Sequence, residues 1–91
     1  VLPGKKIVMI ISAEISYYPL KDKYLMPIQQ FIDNLGAYNE LFVRPNGMST
    51  HVVGDYEQVF AALTTEIKKA FEVPDSVFVI KLLNTDMRGI E

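Results

Sequence analysis

The sequence has no cysteine and only one histidine among its 91 residues. Without cysteine, disulfide bonds, thiolate metal ligands and a cysteine nucleophile are all excluded. With His51 as the single imidazole, one subunit cannot supply a pair of histidine ligands to a metal ion. The five glycines are scattered along the chain, so there is no glycine-rich loop for a nucleotide phosphate. We therefore expect neither a bound metal nor a cofactor.

Charge and hydropathy disfavour two further classes of partner. The formal net charge is −2, which gives no basic field to attract nucleic acid. No segment approaches the roughly 20 apolar residues that cross a bilayer, so we expect no membrane partner and, by default, a cytoplasmic location. A content of 49% hydrophobic and 22% charged residues is typical of a globular protein. A chain of 91 residues has room for one core, which predicts a single domain over residues 1–91.

The first third of the chain has the patterns of a strand and a helix. Residues 7–18 are rich in β-branched and aromatic side chains and alternate in their second half, which predicts a strand. Pro19 should end this strand, and a turn through Asp22 should follow. Apolar residues at helical spacing then predict a first helix with Gly36 at its C-terminal end.

A hairpin is predicted in the middle of the chain. Residues 38–44 and 48–53 are two β-rich runs that flank an Asn46-Gly47 pair. This pair predicts a tight antiparallel connection with positive φ angles. Gly54 should end the second of these strands.

The last third predicts a second helix and a final strand. Asp55 and Gln58 form a capping-box pattern before the clearest helical periodicity of the sequence, which leaves Glu66 on the solvent side. After a break at Pro74, residues 76–83 predict a strand, and residues 84–91 form a polar tail.

The resulting β-α-β-β-α-β order predicts an α+β, ferredoxin-like sandwich. Right-handed crossovers place both helices on one face of the antiparallel sheet and leave the other face open. Alternation predicts which residues look toward the helices: Ala13, Ile15, Tyr17, Leu41, Val43, Thr50, Val52, Phe78, Ile80 and Leu82. The residues predicted on the open face are Glu14, Ser16, Tyr18, Glu40, Phe42, Arg44, Ser49, His51, Val53, Val77, Val79 and Lys81.

The open face mixes apolar with ionisable side chains, so we expect function there. Lys81 should lie beside Glu14, either as a structural ion pair or as part of a site in which the carboxylate contacts a cationic or amidine-like ligand. His51 could join Glu14 and Ser49 in an acid–base constellation, but isolated strand histidines are more often hydrogen-bonded surface or interface residues. We therefore predict no catalytic residue and expect a binding protein rather than an enzyme.

Hydroxyl and aromatic groups complete the candidate site. Ser16, Ser49 and Thr50 can anchor a polar group in a mostly apolar pocket, although such residues are also ordinary in strands. Tyr18 could stack on a planar ligand or cover the seam between two subunits. The predicted ligand-binding residues are Glu14, Ser16, Tyr18, Ser49, Thr50, His51 and Lys81.

Two segments carry a family resemblance. Ile15-Ser16-Tyr17-Tyr18-Pro19-Leu20, and Met48-Ser49-Thr50-His51-Val52-Val53-Gly54-Asp55 running into Val59-Phe60, resemble the YkoF-like family of thiamine- and hydroxymethylpyrimidine-binding proteins. The resemblance implies a ferredoxin-like unit whose sheets associate and which holds a pyrimidine-bearing ligand without catalysing a reaction. Ser16, Tyr18, Ser49 and Thr50 match the family segments. Glu14 and Lys81 come from the assignment of faces.

The resemblance also has consequences for assembly. The protein after which the family is named has two such units in one chain, whereas this sequence has one. An equivalent arrangement therefore requires a homodimer, or a dimer of dimers, that associates through the sheet faces. The function expected first is binding of thiamine or hydroxymethylpyrimidine, in vitamin uptake or salvage. One alternative is an oligomeric regulatory domain whose open face is only an interface. A second is a small dimeric α/β-barrel enzyme that uses His51 and Tyr18.

Overall fold

The computed structural model describes residues 8–20 and 25–89 and has the predicted order of elements. These elements are β1 (Ile10–Pro19), α1 (Leu25–Gly36), β2 (Phe42–Pro45), β3 (Thr50–Asp55), α2 (Tyr56–Ala70) and β4 (Ser76–Leu83). The predicted strand start at Ile7, the turn through Asp22 and the last two residues of the predicted tail lie outside the described residues.

The four strands form one antiparallel sheet in the order β2-β3-β1-β4. This confirms the ferredoxin-like α+β fold, in which β1 lies inside the sheet and is paired on both sides. Within the described residues, neither helix is long and apolar enough to cross a membrane.

The core lies between the sheet and the two helices. Ile15 and Val52 of the sheet and Leu35 and Val59 of the helices are fully buried, because the apolar face of each element is turned toward the others. At one end of the core, the ring of Tyr17 stacks on Phe78 with 4.3 Å between centroids. Burial of this shared layer is the main favourable contribution to folding.

Glu66 of α2 is buried, so its predicted position on the solvent side is wrong. Only 3% of this residue is exposed, and its Oε2 accepts a hydrogen bond of 2.7 Å from the Tyr38 hydroxyl. This hydrogen bond is also the main reason that the pKa of Tyr38 is raised. The Lys69 ammonium lies 3.6 Å from the same oxygen. These two partners stabilise the carboxylate beneath the helix surface through Oε2, whereas Oε1 is buried without a hydrogen-bond partner in the described part of the chain. The periodicity of the sequence does not reveal this burial.

The hairpin is present, but its connection differs from the predicted one. Gly89 is the one glycine with positive φ in the described part of the chain, so Gly47 does not supply the expected geometry. Instead, the Asn46 side-chain oxygen accepts hydrogen bonds of 2.8 Å from the backbone N–H groups of Met48 and Ser49. Such a side-chain turn closes the hairpin without left-handed backbone.

The start of α2 also differs from prediction. β3 continues through Gly54 to Asp55, because Asp55 pairs with Ile10 in the ladder with β1. Asp55 occupies the N-cap position, but its side chain makes no capping hydrogen bond. The N–H of Tyr56 instead donates to the carbonyl of Met9 at 2.7 Å. The backbone of the N-terminal segment therefore satisfies a donor that the predicted capping box would have left free.

Truncation of Ile15 tests the position of the core. Because Ile15 is only 1% exposed, Ile15→Ala should lower the free energy of unfolding by about 2–5 kcal/mol and Ile15→Val by about 0.5–1.5 kcal/mol. Ile80→Ala is the matched control. Because Ile80 of β4 is partly exposed, its truncation should lower the free energy of unfolding by less than Ile15→Ala does. Urea unfolding followed by circular dichroism measures both. Equal losses of unfolding free energy in Ile15→Ala and Ile80→Ala would contradict the position of the core between the sheet and the helices.

Candidate functional site

Four ionisable side chains form a row across the open face, one from each strand. The register pairs Arg44 of β2 with His51 of β3, His51 with Glu14 of β1, and Glu14 with Lys81 of β4. Directly paired residues lie on the same side of a sheet and their Cβ atoms are about 4.5–5.5 Å apart. We call Arg44, His51, Glu14 and Lys81 the ionisable row. The structure thus brings Glu14, His51 and Lys81 together as predicted.

Glu14 is the centre of this row. Its Oε2 accepts a hydrogen bond of 3.2 Å from the Ser49 hydroxyl and lies 3.2 Å from Nε2 of His51. A carboxylate only accepts, so the His51 proton in this contact is on Nε2. The Lys81 ammonium lies 3.6 Å from Oε1, a separation that gives an electrostatic attraction rather than a hydrogen bond.

These contacts lower the pKa of Glu14. The hydrogen bond from His51 has the largest effect, followed by the hydrogen bond from Ser49, because both stabilise the ionised carboxylate. The positive charge of Lys81 acts in the same direction. Glu14 is therefore an anion at neutral pH, and its side chain is only partly shielded from solvent.

A second, mostly apolar row lies next to the first on the same face. Phe42 of β2 pairs with Val53 of β3, Val53 with Ser12 of β1, and Ser12 with Leu83 of β4. We call Phe42, Val53, Ser12 and Leu83 the apolar row. Val53 is only 2% exposed although no helix covers this face. Another part of the chain must therefore cover it.

The segment of residues 84–89, which we call the C-terminal strap, lies on this face beside the apolar row. The Ser12 hydroxyl donates a 2.6 Å hydrogen bond to the carbonyl of Thr85 and accepts one of 3.0 Å from the N–H of Met87. One side chain on β1 thus satisfies two backbone groups of the strap. The polar tail predicted over residues 84–91 had no predicted position, and the structure places residues 84–89 on the open face.

Within the strap, Arg88 and Asp86 form a close ion pair. Nε of Arg88 donates to Oδ1 of Asp86 at 3.0 Å, and the terminal nitrogen donates to Oδ2. These hydrogen bonds lower the pKa of Asp86 to about 2 and raise the pKa of Arg88. The pair fixes the orientation of the guanidinium group at the edge of the open face.

The two rows and the strap enclose a cavity of about 270 Å³. Both rows line it, and Met87, Arg88 and Gly89 form the wall on the strap side. The cavity is half open to solvent, and its exposed lining is mainly apolar. A small cavity with an apolar floor and a few polar groups is typical of a binding site for a small molecule.

The remaining predicted site residues lie in three different places. Ser49 is at the edge of the row and contacts Glu14 directly. Ser16 and Tyr18 pair with Val79 and Val77 of β4, so they share the open face but lie beyond the cavity lining. Thr50 pairs with the buried Ile15 and is itself buried on the helix side, so Thr50 and Glu14 lie on opposite faces of the sheet.

Sequence reasoning missed the residues that complete the cavity. Ser12 follows from extending the alternation of β1 by one step beyond Glu14, and Phe42, Arg44 and Val53 were placed on the open face without a role. Met87, Arg88 and Gly89 had no such signal. Their place depends on hydrogen bonds to a residue more than 70 positions earlier in the chain, and no local pattern encodes that contact.

Comparison with known proteins finds similarity in structure only. No family model matches the sequence, and neither does any curated protein. A hypothetical protein from Methanocaldococcus jannascii is 22% identical, with a TM-score of 0.74 over 86% of this chain and 82% of that chain. At this level of identity, the likeness establishes the fold.

Two further solved structures are similar to this chain. A protein of Thermotoga maritima, named as a candidate thiamine biosynthesis/salvage protein, is 13% identical, with a TM-score of 0.74 over 90% of this chain and 89% of that chain. A domain of unknown function from Bacillus cereus is 13% identical, with a TM-score of 0.71 over 92% of this chain and 84% of that chain. All three structures support the ferredoxin-like arrangement.

The titration of Glu14 tests the geometry of the ionisable row. We expect its carboxyl pKa, followed by carbon NMR of the side chain, to lie below the ordinary 4.5. His51→Ala should raise it most and Ser49→Ala less, because each removes a donor to the ionised form. Glu72→Gln, which changes an exposed carboxylate outside the row, is the control. An unchanged Glu14 titration in His51→Ala would contradict the contact.

Proposed function

We propose that the cavity on the open face binds a small heteroaromatic ligand of the thiamine or hydroxymethylpyrimidine class. The observation that carries this proposal is the placement of an ionised carboxylate, Glu14, beside the apolar row in a half-enclosed cavity. A planar ring can lie on Phe42 and Val53 while its polar edge meets Glu14. The chain would then act as a carrier or sensor of the ligand, in uptake or salvage.

The chemistry of the ligand class fits the ionisable row. An aminopyrimidine presents a donor next to an acceptor, and Glu14 and Ser49 offer an acceptor next to a hydroxyl. The Oε1 atom of Glu14 lies 3.6 Å from the Lys81 ammonium, which is too long for a hydrogen bond, so it can accept a hydrogen bond from a ligand amine. The thiamine-related name of the Thermotoga maritima protein and the segment resemblance to the YkoF-like family support the same class.

We further propose that the site binds without catalysing a reaction. In a serine–histidine–carboxylate catalytic triad, the imidazole lies between the serine and the carboxylate and removes the serine proton. Here Glu14 lies between them, because Ser49 and His51 both contact its Oε2 atom. The Ser49 hydroxyl therefore donates to a carboxylate and is not activated by the imidazole.

Ligand binding should stabilise the folded protein. We expect thiamine or hydroxymethylpyrimidine at about 100 times its dissociation constant to add about 2.7 kcal/mol to the free energy of unfolding, measured as a rise in melting temperature. Glu14→Gln should weaken binding about tenfold or more, because it replaces a charge-assisted hydrogen bond with a neutral one. Glu72→Gln should leave the titration unchanged. No shift with either ligand in the unaltered protein would refute the proposal.

A second proposal concerns self-association through the open face. On β4, which is an edge strand, Val77 and Val79 look to the same side as Glu14 and are each nearly half exposed. Tyr18, beside Val77, is also exposed. We propose that a second copy covers these side chains, because a small domain with an uncovered apolar sheet face gains most by pairing with its own twin. The partner would also close the open side of the cavity.

Val79→Lys tests this association. Light scattering after size-exclusion chromatography should give a dimer for the unaltered chain and a monomer for Val79→Lys, because the substitution buries a charge in the seam. Met26→Lys is the matched control, since Met26 is an exposed apolar residue of α1, away from the sheet. The proposal would be contradicted if the unaltered chain were a monomer, or if Val79→Lys and Met26→Lys lost the dimer to the same extent.

A further inference from the structure

Ser12 of β1 lines the cavity and also binds the C-terminal strap. We propose that Ser12 is a positioning residue of the binding site: its hydroxyl holds the strap on the sheet, and Met87 of the strap then covers one side of the bound ring. This inference rests on the proposed binding function of the same cavity and adds the way in which the strap contributes to affinity.

The strap has few contacts with the sheet. Among residues 8–20 and 25–89, its hydrogen bonds to the sheet are the two made by the Ser12 hydroxyl, at 2.6 Å to the carbonyl of Thr85 and 3.0 Å from the N–H of Met87. Met87 is partly buried, and the other residues of the strap are exposed. A segment with so few buried contacts opens at a lower free energy than a sheet does. Loss of the Ser12 hydroxyl should therefore release the strap without unfolding the domain.

The Ser12 hydroxyl is already engaged by the strap. A serine hydroxyl has one donor hydrogen, and this one is donated to the carbonyl of Thr85. The same oxygen accepts the N–H of Met87, and only 9% of Ser12 is exposed. Ser12 therefore cannot donate to a ligand while it binds the strap, so its effect on a ligand should pass through the position of the strap.

The strap keeps its own shape through contacts that do not involve Ser12. Oδ1 of Asp86 accepts hydrogen bonds from the backbone N–H of Arg88 at 2.9 Å and from its Nε at 3.0 Å. Asp86 and Arg88 flank Met87 in the sequence, so this side-chain turn encloses Met87 within the strap. The strap can therefore bind to the sheet or leave it as one unit, and Ser12 fixes the place of Met87.

Met87 is suited to contact an aromatic ring. It lines the cavity together with Phe42 and Val53 of the apolar row. A methionine side chain is flexible, and its sulfur makes favourable contacts with aromatic rings. A ring that lies on Phe42 and Val53 would therefore also meet Met87. Because the cavity is half open to solvent, a ligand can enter without movement of the strap, and the strap should mainly slow its departure.

Hydrogen exchange of the Met87 amide tests the hold of Ser12 on the strap without any ligand. Ser12→Ala should make this amide exchange about tenfold faster or more, and Ser12→Thr, which keeps a hydroxyl, should restore much of its protection. The Ile15 amide, in the strand paired on both sides, should stay protected in every variant, which shows that the sheet remains folded. Ser76→Ala is the matched control, because the Ser76 hydroxyl donates to the carbonyl of Val73, away from the cavity. Unchanged exchange of Met87 in Ser12→Ala would overturn the inference.

Stopped-flow measurement of thiamine binding tests the effect of the strap on the site. Thiamine should dissociate about tenfold faster from Ser12→Ala and from Met87→Ala, with a similar association rate, because the wall is lost and the entrance is unchanged. The two losses should not add in the double variant, since both act through one wall. Additive losses would overturn the inference, because Ser12 would then act on the ligand independently of Met87. Failure of thiamine to bind would refute the proposed function, whereas loss of Met87 protection in Ser12→Ala would still support the hold of Ser12 on the strap.

Discussion

The pairing of β1 with a neighbour on each side is the constraint on which the site depends. Because β3 and β4 both hydrogen-bond to β1, the register fixes Glu14 opposite His51 on one side and Lys81 on the other. A slip of one residue would turn Glu14 into the core and Ile15 outward, which burial of Ile15 strongly opposes. The apolar layer under the helices therefore sets the position of the polar groups on the opposite face.

The C-terminal strap depends on the same strand in a different way. The strap is bound to the sheet by two hydrogen bonds to the Ser12 hydroxyl. This hydroxyl donates to the carbonyl of Thr85 and accepts from the N–H of Met87. This arrangement satisfies a buried side chain and two backbone groups at once. The cavity therefore requires both parts of the chain, because the sheet forms its floor and the strap forms one of its walls.

The order of strands and helices was enough to predict the fold. Alternation along each strand predicted the face that carries Glu14, His51 and Lys81, because which side a residue faces is a local property of a strand. Alternation also placed Thr50 toward the helices, and its inclusion in the site came from its hydroxyl group and from the segment resemblance instead. Glu66 and the strap could not be predicted in this way. Each is held by hydrogen bonds to residues distant in sequence, Tyr38 for Glu66 and Ser12 for the strap.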